Sequence, residues 1–277
     1  MNIAIFTGGD SSESVISVKS AEEVKRWLEN AGHHCFRVMV SGAQWTIQSD
    51  GDEVYMDKNI FGFKSSGGQI LFDFAWNMIH GTPGEDGKLQ GFFDMMKIPY
   101  SSSNHLSSAL TFNKYTCKTF LKQHHVLTPE ASLVKRVMET DLDKVAEMVG
   151  FPCFVKPNSG GSSFGIAKVV KQEELQSAIN DALREDCEAI VERYIKGTEV
   201  TCGLLKRRGE FTVFPVTEII PKNEFFDYEA KYTVGMADEI TPARIDEGLA
   251  RKCQEMACRI YDLTGSSGII RVDFIIK

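Results

Sequence analysis

The sequence predicts an α/β chain, with an open, mostly parallel sheet in an N-terminal domain followed by an α+β module. Three observations carry this. Strand and helix periodicities alternate through the first hundred residues. A Gly/Ser-rich loop at residues 158–165 has strand signal on both sides. The last stretch, IIRVDFII, alternates with period two.

Residues 2–7 are an apolar run that breaks at Gly8-Gly9-Asp10. From residue 14 to 30, Val15, Val18, Ala21, Val24, Trp27 and Leu28 recur at helical spacing, and Gly32 stands where a C′ glycine ends a helix. Residues 35–40 read as a second strand, which completes a βαβ unit. Residues 45–56 predict a hairpin turning at Asp50-Gly51. A strand at 72–79 ends at His80-Gly81, a helix covers 89–96, and 98–100 is a brief strand. Sheets of this kind gather ligands at strand ends, and two polar loops lie there. GGDSSESVIS places Glu13 at the start of the first helix, where the helix dipole alone would favour a carboxylate. HGTPGEDGKLQG holds four glycines with Glu85 and Asp86, and a tight turn with acidic capping also accounts for it. His80 on its own reads as structural as readily as chemical.

Ser101-Ser102-Ser103-Asn104 marks a domain boundary. Residues 107–123 predict one helix carrying Lys114 and Lys118 a turn apart, followed by a strand at 131–134 and a helix at 142–149 closed by Gly150. In CFVKPNSGGSSFGI, the glycines let successive backbone N–H groups converge on an anion, the serines add hydroxyl donors, and Lys156 supplies charge at the base. Flanking strands distinguish it from a Walker loop, which runs into a helix. It reads as a β-hairpin closing over phosphates or as a flexible connector. A helix at 172–184 and a strand at 189–194 follow, then two longer strands over 199–220 meeting at Arg207-Arg208-Gly209. Residues 223–234 lack clear periodicity and read as an ordered, mobile loop, and 245–263 is an amphipathic helix. In the last strand, Ile270, Val272, Phe274 and Ile276 share one face while Arg271 and Asp273 share the other. That pair is a surface ion pair or a ligand site.

The chain of 277 residues has a net charge of −7, which argues against nucleic acid or an anionic membrane as the main partner. Its seven cysteines are scattered without a C-x-x-C, so neither a disulfide framework nor a zinc site is indicated, and a reducing compartment suits them. No signal peptide or membrane-length apolar run is read, so a cytoplasmic protein is expected.

Taken together, GGDSSESVIS, HGTPGEDGKLQG, FNKYTCK, FPCFVKPNSGGSSFG, VERYIKGTEVTCG, FFDYEAKY and RVDF resemble the D-alanine–D-alanine ligases of the ATP-grasp superfamily, in the family's order along nearly the whole chain. The resemblance implies a substrate domain at 1–103 and a two-part ATP-grasp module at 104–191 and 192–277, with the nucleotide between two sheets. It implies ATP and two D-alanines as substrates, Mg²⁺ or Mn²⁺ as cofactor, a homodimer, and a role in peptidoglycan precursor synthesis. Lys114 and Lys156 match lysines on the ATP phosphates, and Ser163 lies in the loop over them. Glu192, with the backbone of Arg193, Tyr194 and Ile195, matches the adenine hinge, and Glu199 matches the acid on the ribose. Lys231 matches a lysine near the transferred phosphate. Glu13, Ser162 and Tyr232 match a trio that holds the first substrate and locks a loop. His80 matches a pocket histidine, Arg271 an oxyanion donor, and Asp273 a metal ligand. The family's next motif, E-x-N before a Pro-Gly turn, would follow Asp273, yet the chain stops at Lys277. The expectation is a truncated chain that binds nucleotide and ligates poorly. The alternatives are a carboxylate–amine ligase with another acceptor, such as D-lactate, or a non-catalytic nucleotide-binding protein.

Overall fold

The computed structural model describes residues 1–49, 51–161, 165–221 and 237–277. The chain divides into two compact units, Met1–Ala109 and Leu110–Lys277.

The first unit runs β1 (Asn2–Gly8), α1 (Ser14–Asn30), β2 (His34–Ser41), β3 (Gln44–Ser49), β4 (Asp52–Tyr55), β5 (Gly62–Ser65), β6 (Gly68–Leu71), β7 (Phe74–Asn77) and α2 (Lys88–Met96), and the division falls within α3 (His105–Phe112). Its main sheet has the order β4-β3-β2-β1-β7. β1 pairs in parallel with β2 and β7, and the β3–β4 hairpin extends the sheet antiparallel. β1 is buried on both faces, as its unbroken apolar run requires. Ile3 and Ile5 pack towards Ala21 and Val24 of α1. Ala4 and Phe6 join an aromatic core in which the rings of Phe6 and Phe93 lie 5.0 Å apart. At the end of α1, Gly32 N–H bonds Glu29 O and His33 N–H bonds Leu28 O, with Gly32 at φ +84°. This is the glycine-closed terminus that the sequence predicts.

The second unit continues with α4 (Lys114–Gln123), β8 (Ala131–Lys135), α5 (Leu142–Val149), β9 (Cys153–Pro157), β10 (Ala167–Val169), α6 (Gln172–Glu185), β11 (Glu188–Arg193), β12 (Thr198–Arg207), β13 (Glu210–Val213), β14 (Thr217–Pro221), β15 (Ala237–Ile240), α7 (Glu247–Leu263) and β16 (Ile269–Ile276). An antiparallel four-stranded sheet, β10-β9-β11-β8, packs Cys153, Val155, Ala189 and Val191 against Val145 and Val149 of α5 and Leu175 and Ile179 of α6. In a second antiparallel sheet, β12 pairs with β13, β14 and β16. There Val200, Cys202 and Leu204 pack with Cys253, Ala257 and Tyr261 of α7. Strand alternation therefore turns Phe154, Lys156, Ile190 and Glu192 away from the helices of one sheet, and Glu199, Thr201, Arg271 and Asp273 away from the helix of the other.

Several sequence expectations change in detail. The predicted helix at 107–123 is two helices, because Asn113 is extended (φ −82°, ψ 103°) and its side chain caps α4 through Thr116 N–H. The predicted second long strand after Arg208-Gly209 is two, β13 and β14. The strand at 98–100 is a single bridge between Ala75 and Tyr100. The β5–β6 hairpin went unread, since its strands are four residues each and rich in glycine and serine. On α1, Val15 and Trp27 are 63% and 65% exposed, so the buried stripe is narrower than the periodicity implies. The loop expected over 223–234, Asp50 of the β3–β4 turn, and Ser162, Ser163, Lys231 and Tyr232 lie outside the described residues.

Candidate active site

The glycine-rich segment is a hairpin: β9 and β10 pair antiparallel, with Val155 opposite Ala167. Its ascending arm is fixed by Asn158, which is fully buried. Asn158 O accepts from Lys114 N–H at 2.9 Å, and its Oδ1 accepts from Tyr115 N–H at 2.9 Å. Its Nδ2 donates to Glu188 Oε2 at 2.7 Å. The first turn of α4 is thereby bonded to the foot of the hairpin. Lys114 reinforces the junction, since its Nζ donates to the carbonyls of Pro157 at 3.0 Å and Gly160 at 2.7 Å. Gly160, at φ +117° with open space around its Cβ direction, lets the chain turn above that junction.

Beside the hairpin lies a buried charge cluster. Glu192, 5% exposed, faces two ammonium groups. Lys156 Nζ hydrogen-bonds its Oε1, and Lys118 Nζ lies 2.9 Å from its Oε2 as an ion pair that is not aligned as a hydrogen bond. Burial pushes the carboxyl pKa up, but Lys156 and Lys118 outweigh it and hold it at about 2. One carboxylate thus serves two cations, which leaves net positive charge next to a loop of small residues. On the same sheet face the rings of Phe154 and Tyr194 lie 5.8 Å apart. Lys156 Nζ stands 5.2 Å from the Phe154 ring centre and Lys168 Nζ 5.2 Å from that of Tyr194. A cationic, aromatic surface of this kind suits a nucleotide's phosphates and base.

Arg193 is engaged elsewhere. Its guanidinium donates to Val149 O at 2.9 Å and Met148 O at 3.0 Å, capping the C-terminus of α5. On the second sheet, Arg271 Nε donates to Asp273 Oδ1 at 2.9 Å and its Nη2 to Oδ2 at 3.3 Å. Thr201 stands opposite Asp273, and Glu199 lies two residues further along the same face. Among the described residues no group of three His, Cys, Asp or Glu side chains could hold a metal ion. Asp273, with both oxygens on Arg271, offers a carboxylate that would share a Mg²⁺ with substrate phosphates and water.

In the first unit, Glu13 is the N-cap residue of α1 without a side-chain capping bond, and it is 5% exposed. Ser11 Oγ donates to His80 O at 2.7 Å, bringing the two polar loops together. Gly81, at φ +72°, sits so close that a Cβ there would lie 2.7 Å from Ser11 Oγ and 3.4 Å from Glu13 Oε2. The buried Nε2 of His80 has no hydrogen-bond partner among the described residues.

The family description "D-ala D-ala ligase N-terminus" matches residues 2–103, and "D-ala D-ala ligase C-terminus" matches residues 121–277. The chain belongs to the D-alanine–D-alanine ligase family. A D-alanine–D-alanine ligase of Bacteroides fragilis is 47% identical over 276 residues, covering 99% of this chain and 85% of that protein. One from Parabacteroides distasonis is 50% identical over 277 residues, covering 99% and 83%. The crystal structure of D-alanyl-alanine synthetase A from Vibrio cholerae superposes with a TM-score of 0.88 at 28% identity, over 100% of this chain and 85% of that one. The VanG D-Ala:D-Ser ligase of Enterococcus faecalis gives 0.85 at 32% identity, over 99% and 85%. The α/β architecture with its ATP-grasp module is therefore that of the D-alanine–D-alanine ligase family.

Of the residues singled out in the sequence, Lys114, Lys156 and Glu192 meet at the hairpin foot, and Glu199, Arg271 and Asp273 share a sheet face. Glu13 and His80 lie on adjoining loops of the first unit. Lys118, Phe154 and Lys168 were not read as site residues. Each had a signal: Lys118 follows Lys114 by one helical turn, Phe154 precedes Lys156 by the strand period, and Lys168 pairs across the hairpin with Phe154.

Proposed function

We propose that the chain joins two D-alanines at the cost of ATP, through an acyl phosphate, and so supplies a peptidoglycan precursor in the cytoplasm, acting as a homodimer. A carboxylate does not react directly with an amine at neutral pH, because its leaving group would be oxide. Phosphorylation replaces that leaving group with inorganic phosphate, and the amine of the second D-alanine then attacks the acyl carbon. Both steps concentrate negative charge, so preorganised cations are the main requirement. Lys114 and Lys156 meet it at the phosphates, with Ser163 and Lys231 closing over them. Glu192, Tyr194 and the backbone of Arg193 and Ile195 take the adenine, and Glu199 takes the ribose. Arg271 stabilises the oxyanion beside Asp273. Glu13, Ser162 and Tyr232 hold the first D-alanine's ammonium and keep water from the acyl phosphate, and His80 lines its pocket. The division into 1–103, 104–191 and 192–277 follows the same assignment.

The observation that carries the reading is the buried Lys118–Glu192–Lys156 cluster at the foot of a glycine-rich hairpin, in a chain 47% identical to a ligase of this name. The test is phosphate release on mixing the protein with ATP, Mg²⁺ and D-alanine. Release that depends on D-alanine and yields the dipeptide is expected, and ATP binding without D-alanine-dependent turnover would leave a nucleotide-binding protein instead. Because the VanG relative is a D-Ala:D-Ser ligase, D-serine and D-lactate belong in the same assay as competing acceptors. D-alanine is expected to be preferred.

A further inference from the structure

The reading above gives Lys156 to the nucleotide, yet Lys156 is also bonded to Glu192. If it were the sole counter-ion of that carboxylate, each nucleotide bound would strip a buried charge of its partner. Lys118 removes the conflict. It comes from α4, not from the sheet, and stands 2.9 Å from the opposite oxygen, Oε2. Its position is held independently, because the first turn of α4 is bonded through Lys114 N–H and Tyr115 N–H to Asn158. Oε1 therefore points along the sheet face that carries Lys156, Phe154 and Tyr194.

We propose that Lys118 is a positioning residue for choice of base: it holds Glu192 as an ionised, acceptor-only carboxylate, so that a 6-aminopurine is taken and a 6-oxopurine refused. An ionised carboxylate accepts a hydrogen bond from the exocyclic amine of adenine. It faces the carbonyl of hypoxanthine or guanine as one acceptor against another, with nothing to bridge them. Without Lys118, Glu192 keeps Lys156 to itself or takes up a proton, and as a protonated acid it can donate to the 6-oxo group. The inference rests on the nucleotide assignment made above and adds a residue to it.

The experiment is calorimetric titration of the whole 277-residue chain with ATP and separately with inosine triphosphate, without D-alanine. Lys118→Met is expected to weaken ATP binding roughly tenfold and to cut the preference for ATP over inosine triphosphate by about fivefold or more, by analogy with the loss of one charged hydrogen-bonding partner. Lys118→Arg, which keeps the charge, is expected to restore both. Lys118→Gln repeats the test if the methionine variant folds poorly. A ratio of ATP to inosine triphosphate affinity that stays within about twofold of the unsubstituted chain, even with a lowered melting temperature, overturns the inference and leaves Lys118 structural. Failure of the unsubstituted chain to bind ATP is a different result, and it removes the nucleotide assignment together with this extension of it.

Discussion

Two clusters of opposite charge occupy the faces turned away from the helices in the two sheets of the second unit, and they differ in their access to water. Glu192 is 5% exposed and shared by two lysines. The side chains of Arg271 and Asp273 are 63% and 55% exposed and pair only two residues apart on one strand. In sequence they also differ, since Arg271 and Asp273 share one strand at its period while Lys118, Lys156 and Glu192 come from a helix and two strands. Buried charge must be paired to exist at all, so the first cluster is bound up with folding. The exposed pair contributes little to stability and is free to serve chemistry.

The comparison breaks most readily at Glu192. Glu192→Gln leaves two ammonium groups facing a neutral amide, and a loss of about 2–3 kcal/mol in chemical denaturation is expected, below the range for fully buried pairs because water reaches the lysines. The same group gives a pH signature. Its carboxyl is held at about 2 in the fold against 4.5 as an unperturbed group. Its stabilisation is therefore complete above pH 4.5 and is lost as pH falls through about 2, so the unsubstituted chain should lose more stability across that window than Glu192→Gln does. Next in size is Asn158→Ala, which strips Tyr115 N–H and Glu188 of a buried partner; about 2 kcal/mol should be lost by the same measurement. Asn113→Ala removes the cap of α4 and should cost about 1 kcal/mol. The smallest expected effect on stability is at the exposed pair. Arg271→Ala should stay within about 0.5 kcal/mol of the unsubstituted chain, while D-alanine-dependent phosphate release falls by about a hundredfold or more. Equal stability losses at Glu192 and Arg271 would erase the distinction.

What the sequence made legible was what depends on local pattern. α1, α5 and β16 begin and end at the predicted residues because caps, glycines and alternation act over a few positions. The break at Asn113 was hidden, since the apolar spacing runs through it and only the competing side-chain cap interrupts the helix. Lys114, Lys156 and Glu192 stand in the motifs that carry the resemblance, and the structure brings them together at the hairpin foot. The role of Lys118 depends on α4 being carried to the sheet by Asn158, a long-range contact that spacing does not encode. Arg193 shows the reverse: a position read for its backbone turns out to use its side chain to close a helix.

Asn158 has one more consequence, for the chemical ageing of the protein. It precedes Ser159, and in a loose chain such a dipeptide deamidates when the following backbone nitrogen attacks the side-chain carbon to form a succinimide. Here Ser159 N–H is committed to Asp186 Oδ2 at 2.7 Å, and the amide of Asn158 is gripped at both ends. The attacking atom and its target are both immobilised, so isoaspartate at this position would record time spent unfolded.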